Sequence, residues 1–261
     1  MTATDRLLKQ RSAGHIHLRM ERGGVAVMRE AGSAKSRIPS GSTEAILINT
    51  SGGLAGGDVV GIKAEVGVGA CLTMTTQTAE RVYRTLGPPA EVRVSLSVAE
   101  NATLLWMPQE TIFFDDSALV RSLDVELAEG ATFLAIETML FGRREMGEHV
   151  RHVSVVDRWT IKQGGKLIHA EAFRLGPDWP QSKASFGENH ATACIILISP
   201  KVAELLEKVR DVLGPEDGAS TWNGKLVARL LARDGFRLRK TLIQVLSVCL
   251  GRNKLPKCWT F

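Results

Sequence analysis

Apolar residues in this chain alternate with polar ones more often than they cluster. Val92, Val94, Leu96 and Val98 alternate with Arg93, Ser95 and Ser97, and Leu123, Val125 and Leu127 alternate with Asp124 and Glu126. A period of two sends successive side chains to opposite faces of a strand, so each segment predicts a β-strand with one face on a core. The segments Val66 to Leu72, Val98 to Leu104 and Leu127 to Phe133 share a further plan. In each, a strand ends, turns through Gly or Asn, places a small Ala and begins another apolar strand. Ala70, Ala102 and Ala131 mark this weak repeat at steps of roughly 30 residues, the spacing of stacked units that cannot cover their own apolar faces alone. Independent antiparallel hairpins account for the pattern nearly as well. On either reading the fold is mainly β, as stacked or helically wound β-sheets.

A hairpin is predicted from Val153 to Ile161 and Leu167 to Arg174, joined across Gln163-Gly164-Gly165, where glycine permits the positive φ of a tight turn. Beyond it the period lengthens to that of helices. Ser199-Pro200 offers an N-cap and a first-turn residue to a stripe of Val202, Leu205, Leu206, Val209 and Leu213, which Gly214-Pro215 ends. A second helix is predicted from about Asp234 to Leu250, with Leu238, Leu242, Val245, Leu246 and Cys249 as its apolar face. The carboxyl-terminal third therefore carries a few helices among its strands.

Composition places these elements in one folded domain over residues 1–261: 44% of the residues are hydrophobic and 23% charged. Met1 to Gly14 is charged and no apolar signal segment follows it; no apolar run approaches the ~20 residues a membrane helix needs. The chain is read as cytoplasmic, with no membrane. Cys71, Cys194, Cys249 and Cys258 are widely spaced without a CxxC pair, which suits reduced thiols. The net charge of +5 is concentrated near the end, in Arg233, Arg237, Arg239, Lys240, Arg252, Lys254 and Lys257. That excess favours solubility first and docking to an acidic protein second. With no nucleic-acid-binding pattern and a single Tyr, nucleic acid comes last.

Gly52-Gly53-Leu54-Ala55-Gly56-Gly57-Asp58 is the densest glycine stretch, yet it is neither GxGxxG nor GxxxxGK[ST], and a strand follows it. A tight turn or bulge is the reading, with Asp58 capping it or facing a polar interior. There is no GxSxG elbow. His15 and His17 stand two apart, and Glu145, Glu148, His149 and His152 fall within eight residues, but neither group has the closed spacing of a structural metal site. Asp58, Glu110, Asp115, Asp116, Glu137 and Glu171 adjoin apolar strand segments. Any that point inward must be paired, hydrated or used, and along a wet channel they could pass a cation. In Trp106-Met107-Pro108-Gln109-Glu110, proline breaks the strand and presents a Gln-Glu pair that core packing does not explain.

Several of these segments together resemble the UreD family (also called UreH) of urease accessory proteins. Leu47 to Asp58 is similar to its LxPPGGxxGGD segment, Leu72 to Arg84 to its LTTxxAxKxYR strand and turn, and Trp106 to Asp116 to its WLPQETIxF hallmark. Glu137 to Glu148 resembles its E…xGRxxxGE block, Glu171 to Arg174 its ER region, and Leu255 to Trp259 its terminal PRxW. Departures are Asn49-Thr50-Ser51 in place of two prolines, Glu80-Arg81 where Lys is common, and Lys257 in place of Arg.

The resemblance implies a non-catalytic scaffold with no tightly bound cofactor, only transient Ni2+. Its implied partners are apo-urease, a UreF-type accessory protein and, through that protein, a UreG-type GTPase, acting together in GTP-dependent nickel insertion. Asp58, Glu110, Glu137, Glu148 and Glu171 are the residues expected along a nickel conduit. Arg237, Arg239 and Lys240 are expected at the partner surface. The alternatives are a metal-assisted hydrolase using His149 and His152 with Glu145 or Glu148, and a purely structural β repeat protein.

Overall fold

The structure, a computed structural model, describes residues 11–143, 147–177, 182, 185–251 and 254–260. Glu145 and Arg252 lie outside the described residues. The first strands are β1 (Ala13–Glu21), β2 (Gly24–Gly32), β3 (Ala34–Arg37), β4 (Glu44–Asn49), β5 (Val59–Val66) and β6 (Cys71–Thr76). The middle holds β7 (Glu80–Val82), β8 (Ala90–Val98), β9 (Thr103–Met107), β10 (Thr111–Phe113), β11 (Ser117–Leu127) and β12 (Thr132–Phe141). Then come β13 (Val153–Gln163), β14 (Lys166–Leu175), β15 (Ala191–Ile198), helix α1 (Leu206–Arg210), β16 (Gly218–Trp222), β17 (Lys225–Ala232) and helix α2 (Gly235–Leu250).

The chain winds between two sheets. One has the order β14-β13-β11-β8-β5-β1-β2; the main path of the other is β16-β17-β15-β12-β9-β6-β4-β3. β5, β8, β11 and β13 run parallel in the first sheet, as β4, β6, β9 and β12 do in the second. Parallel neighbours need a crossover between them, so the repeat is helical winding and not a set of separate hairpins. Three passages from first sheet to second, β5 to β6, β8 to β9 and β11 to β12, use the predicted turn: Gly69, Asn101 and Gly130 adopt φ of 62°, 56° and 70°. The following Ala70, Ala102 and Ala131 are fully buried. A larger residue there would push the stacked coils apart. The return passages carry short strands, with β7 pairing β10 and β10 pairing β12.

Antiparallel pairing appears at the margins, where the β13–β14 hairpin turns at Gly164 and Gly165. α2 packs Leu238, Leu242, Val245, Leu246 and Leu250 on the outer face of the second sheet, and the Asp234 side chain caps it by accepting from the Arg237 N–H. The helix predicted from Ser199-Pro200 to Leu213 is shorter and starts later. Val202–Leu205 form a 3-10 turn, and α1 covers only Leu206–Arg210. Lys201, not Ser199, stands at the cap and makes no side-chain cap bond. Only Val202 and Val209 of the apolar stripe are buried, so packing holds little more than one turn.

Candidate functional site

Inside the sandwich, apolar packing is interrupted at one level by charge. β11 presents Leu119 to one apolar cluster and Leu123, Val125 and Leu127 to another, with Arg121 facing inward between them. β13 repeats this with Val155, Asp157 and Trp159, and β12 with Ala135, Glu137 and Met139. Parallel register sets Arg121 directly beside Asp157, and Glu137 stands opposite Cys194 on β15, which stands opposite Arg229 on β17. At this height Arg121, Asp157 and Glu137 form a buried polar seam, which Cys194 and the exposed Arg229 extend toward the margin of the second sheet.

Arg121 is the hub of the seam. Its Nε and Nη2 donate to the two Asp157 oxygens at 3.2 and 2.9 Å, and its Nη1 lies 2.7 Å from Glu137 Oε1. Thr111 and Trp159 complete the network: Thr111 Oγ1 accepts from Arg121 and donates to Glu137, while Trp159 Nε1 donates to Asp157 at 3.3 Å. Burial pushes the Glu137 carboxyl up to about 7 against the pull of Arg121, and the charge of Asp157 adds to the rise. Farther along, burial raises Glu171 as well, but His169 and Arg229 outweigh it and hold that carboxyl below its ordinary value.

Three cavities share walls, and two of them are lined by residues of the seam. A space of about 130 Å³ beside Asn49 and Gly52 shares Val60, Ile62, Thr76 and Glu80 with one of about 90 Å³. The second, which also holds Arg121, shares Glu137 and Trp159 with a third of about 550 Å³ that contains Asp157, Glu171, Cys194 and Arg229. Glu80 stands at the first junction, accepts from Asn49 Nδ2 at 3.0 Å, and is pushed above its ordinary value by burial.

Of the five carboxylates expected along a conduit, the structure places Glu137 and Glu171 on the wall of the large cavity. Asp58 is buried, but its oxygens accept from the Ser12 and Ala55 N–H groups at 2.6 and 2.8 Å, which makes it the cap of the glycine turn. Within that turn Gly53 has φ 152°, and a Cβ there would run into the Tyr83 ring. Glu110 pairs with Arg239 at 2.8 Å, and Glu148 with Arg143 at 2.9 Å in an outer loop.

The Gln-Glu pair after Pro108 is a tether. Gln109 Nε2 donates to the Cys258 carbonyl, and Arg239 donates to Gln109, Glu110 and the Trp259 carbonyl while lying over the Trp259 ring at 4.8 Å. Arg239 therefore works inside the fold, whereas Arg237 and Lys240 are exposed beside Phe236, itself 83% exposed. His149 is exposed, and His152 gathers with Asp115 and Asp116 at the surface, where Arg151 and Arg84 already pair with those carboxylates. No described helix is long and apolar enough to cross a membrane.

The family model described as UreD urease accessory protein matches residues 12–260. The urease accessory protein UreD of Mesorhizobium japonicum is 47% identical over 88% of this chain and 85% of its own length. Urease accessory protein UreD 1 of Brucella anthropi is 43% identical over 94% of this chain and 92% of its own. The UreD of Rhizobium leguminosarum bv. trifolii is 43% identical over 96% of each.

Proposed function

The chain belongs to the UreD family of urease accessory proteins, and from that membership we propose that it is a non-catalytic scaffold and nickel conduit in urease maturation. It docks on apo-urease together with a UreF-type protein, which brings a UreG-type GTPase, and Ni2+ passes through its interior during GTP-dependent insertion. The observation that carries this reading is the run of three wall-sharing cavities, two of them lined by the carboxylate-bearing seam. Buried carboxylates are costly unless they are paired or used, and a divalent cation is a partner they can exchange for Arg121 or Arg229. Glu137 and Glu171 are the proposed stepping points, with Glu80 added at the first junction. Asp58 shapes the turn, and the exposed Arg237 and Lys240 remain the proposed partner contacts. Family membership does not favour the hydrolase alternative at His149 and His152.

The test is co-expression of urease with its accessory proteins. Glu171→Gln is expected to lower the nickel content of urease while the accessory complex still co-purifies. Full nickel loading and activity with this chain deleted would overturn the proposal.

A further inference from the structure

Leu86 is the most exposed large hydrophobic side chain among the described residues, with 88% of its surface in water. A leucine alone on a surface is ordinary, but this one is held out by a built loop. The Thr85 hydroxyl accepts from the Gly87 N–H at 3.1 Å and shares its proton between the Gly87 and Pro88 carbonyls at 3.3 and 3.2 Å. The Thr85 N–H donates to the Asp116 carbonyl at 3.0 Å, and the Pro89 carbonyl accepts from the Gly57 N–H at 3.2 Å. The loop therefore rests on the glycine turn: a Cβ at Gly56 would collide with Thr85 Oγ1, so only glycine lets the two segments meet. Pro88 and Pro89 stiffen it further. Around the loop, positive charge stands forward of negative. In the pairs Arg84–Asp116, Arg143–Glu148 and Arg151–Asp115 the arginine is the more exposed partner, by 77% to 21% in the last. The exposed Arg11 adds a further cation, its guanidinium lying against Gly57.

We propose that the loop from Thr85 to Pro89 and these arginines form a second docking surface, made for a protein whose apolar socket takes Leu86 and whose rim is acidic. The proposal rests on the scaffold reading: a scaffold joins two proteins, and with Arg237 and Lys240 assigned to the UreF-type protein, this surface falls to apo-urease. A leucine already fixed in its bound position loses little freedom on docking, so the gain from burying it is kept as affinity. The arginine tips meet the partner's carboxylates first and steer the encounter, acting on the association rate more than on residence. The Gly56-Gly57 doublet then has a purpose beyond the turn, since it seats the loop that presents Leu86.

The experiment measures binding of the full-length chain to immobilised apo-urease at low and at physiological ionic strength. Leu86→Asp is expected to weaken binding about tenfold or more at unchanged melting temperature, because it drives a negative charge into an apolar socket with an acidic rim. Arg84→Glu and Arg151→Glu together should slow association and flatten its salt dependence. Val68→Ala, at an exposed apolar residue of a different corner, should bind as the wild type does. Thr85→Ala releases the loop and should weaken binding with Leu86 intact, a loss that a leucine acting only by its exposure would not show. Co-purification with the UreF-type protein should be unchanged in all four. Apo-urease binding that survives Leu86→Asp, or loss of UreF-type binding in its place, overturns this surface alone. A wild-type chain that does not bind apo-urease overturns the scaffold reading with it.

Discussion

Replacing Arg121 with methionine removes the cation of the buried seam while keeping much of its length. Three groups lose their partner: Asp157, Glu137 and the Thr111 hydroxyl. Removing one member of a buried ion cluster costs about 3–5 kcal/mol because the remaining charge stays buried and uncompensated. Here the cost depends on pH, and its sign follows from Glu137. The folded value of Glu137, about 7, lies above the ordinary value of 4.5. The folded state therefore binds the extra proton, and the stability this contributes is full below the unfolded value and lost as pH rises through 7. Without Arg121 the carboxyl stays neutral to still higher pH, which leaves Asp157, still accepting from Trp159, as the main uncompensated charge. Urea unfolding at about pH 6 and about pH 8 should show Arg121→Met destabilised by about 3–5 kcal/mol at the higher pH and by less at the lower. Glu137→Gln, which imitates the protonated carboxyl, should stay within about 1.5 kcal/mol of the wild type near neutral pH. It should also abolish a slope that approaches about 1.4 kcal/mol per pH unit between the two Glu137 values. If Arg121→Met stays within about 1 kcal/mol of the wild type at both pH values, or Glu137→Gln keeps the wild-type slope, the charge-seam reasoning is wrong.

Two further outcomes test the carboxyl-terminal tether and the outer surface. Trp259 is fully buried and donates from Nε1 to the Met107 carbonyl at 3.1 Å, so Trp259→Ala should cost about 3–5 kcal/mol, read as a lowered melting temperature. Charge reversal of Arg237 and Lys240 together should abolish co-purification with a UreF-type protein at unchanged melting temperature; binding kept intact would move the interface elsewhere. Arg239→Glu serves as the contrast, since it breaks contacts to Glu110, Gln109 and Trp259 and should lower the melting temperature instead.

What the sequence revealed of the fold was local, and what it hid was register. The Ala70, Ala102 and Ala131 turns were legible because each is a short motif that builds the same corner. The second helix was legible because Asp234 caps it and its apolar face has a clear period. The seam was less visible. Extending the alternation of Leu123, Val125 and Leu127 back by one step puts Arg121 inward, and Asp157 falls inward between Val155 and Trp159. A charged residue at such a position reads as the end of an alternation unless its partner is known. The partner lies 36 residues away, about one coil, and only the parallel pairing brings it alongside. Glu110 shows the same limit, since its partner Arg239 is 129 residues distant and only the tertiary fold brings the two together. Glu80 drew notice only as a departure from a motif, and its place between two cavities is a tertiary fact.

The winding of the chain explains why charge collects in a seam and not in scattered pairs. In a stack of parallel coils, a residue at a given height has its equivalents in the previous and next coils as side neighbours, so inward polar residues of adjoining coils fall side by side. Arg121 has Val92 on one side and Asp157 on the other; Glu137 is beside Cys194, which is beside Arg229. Such a row also fixes the register that creates it. If β11 slipped by one residue against β13, Arg121 would turn outward and Asp157 would remain buried without its cation, at a cost of several kcal/mol. Apolar residues at the same height would tolerate that slip far better, since one aliphatic side chain packs much like another. The seam therefore does two things with one set of side chains. It pins the coils at the level where the cavities open, and it lines those cavities with carboxylates. A site built this way stays aligned across strands that are remote in sequence, as the proposed ion path requires.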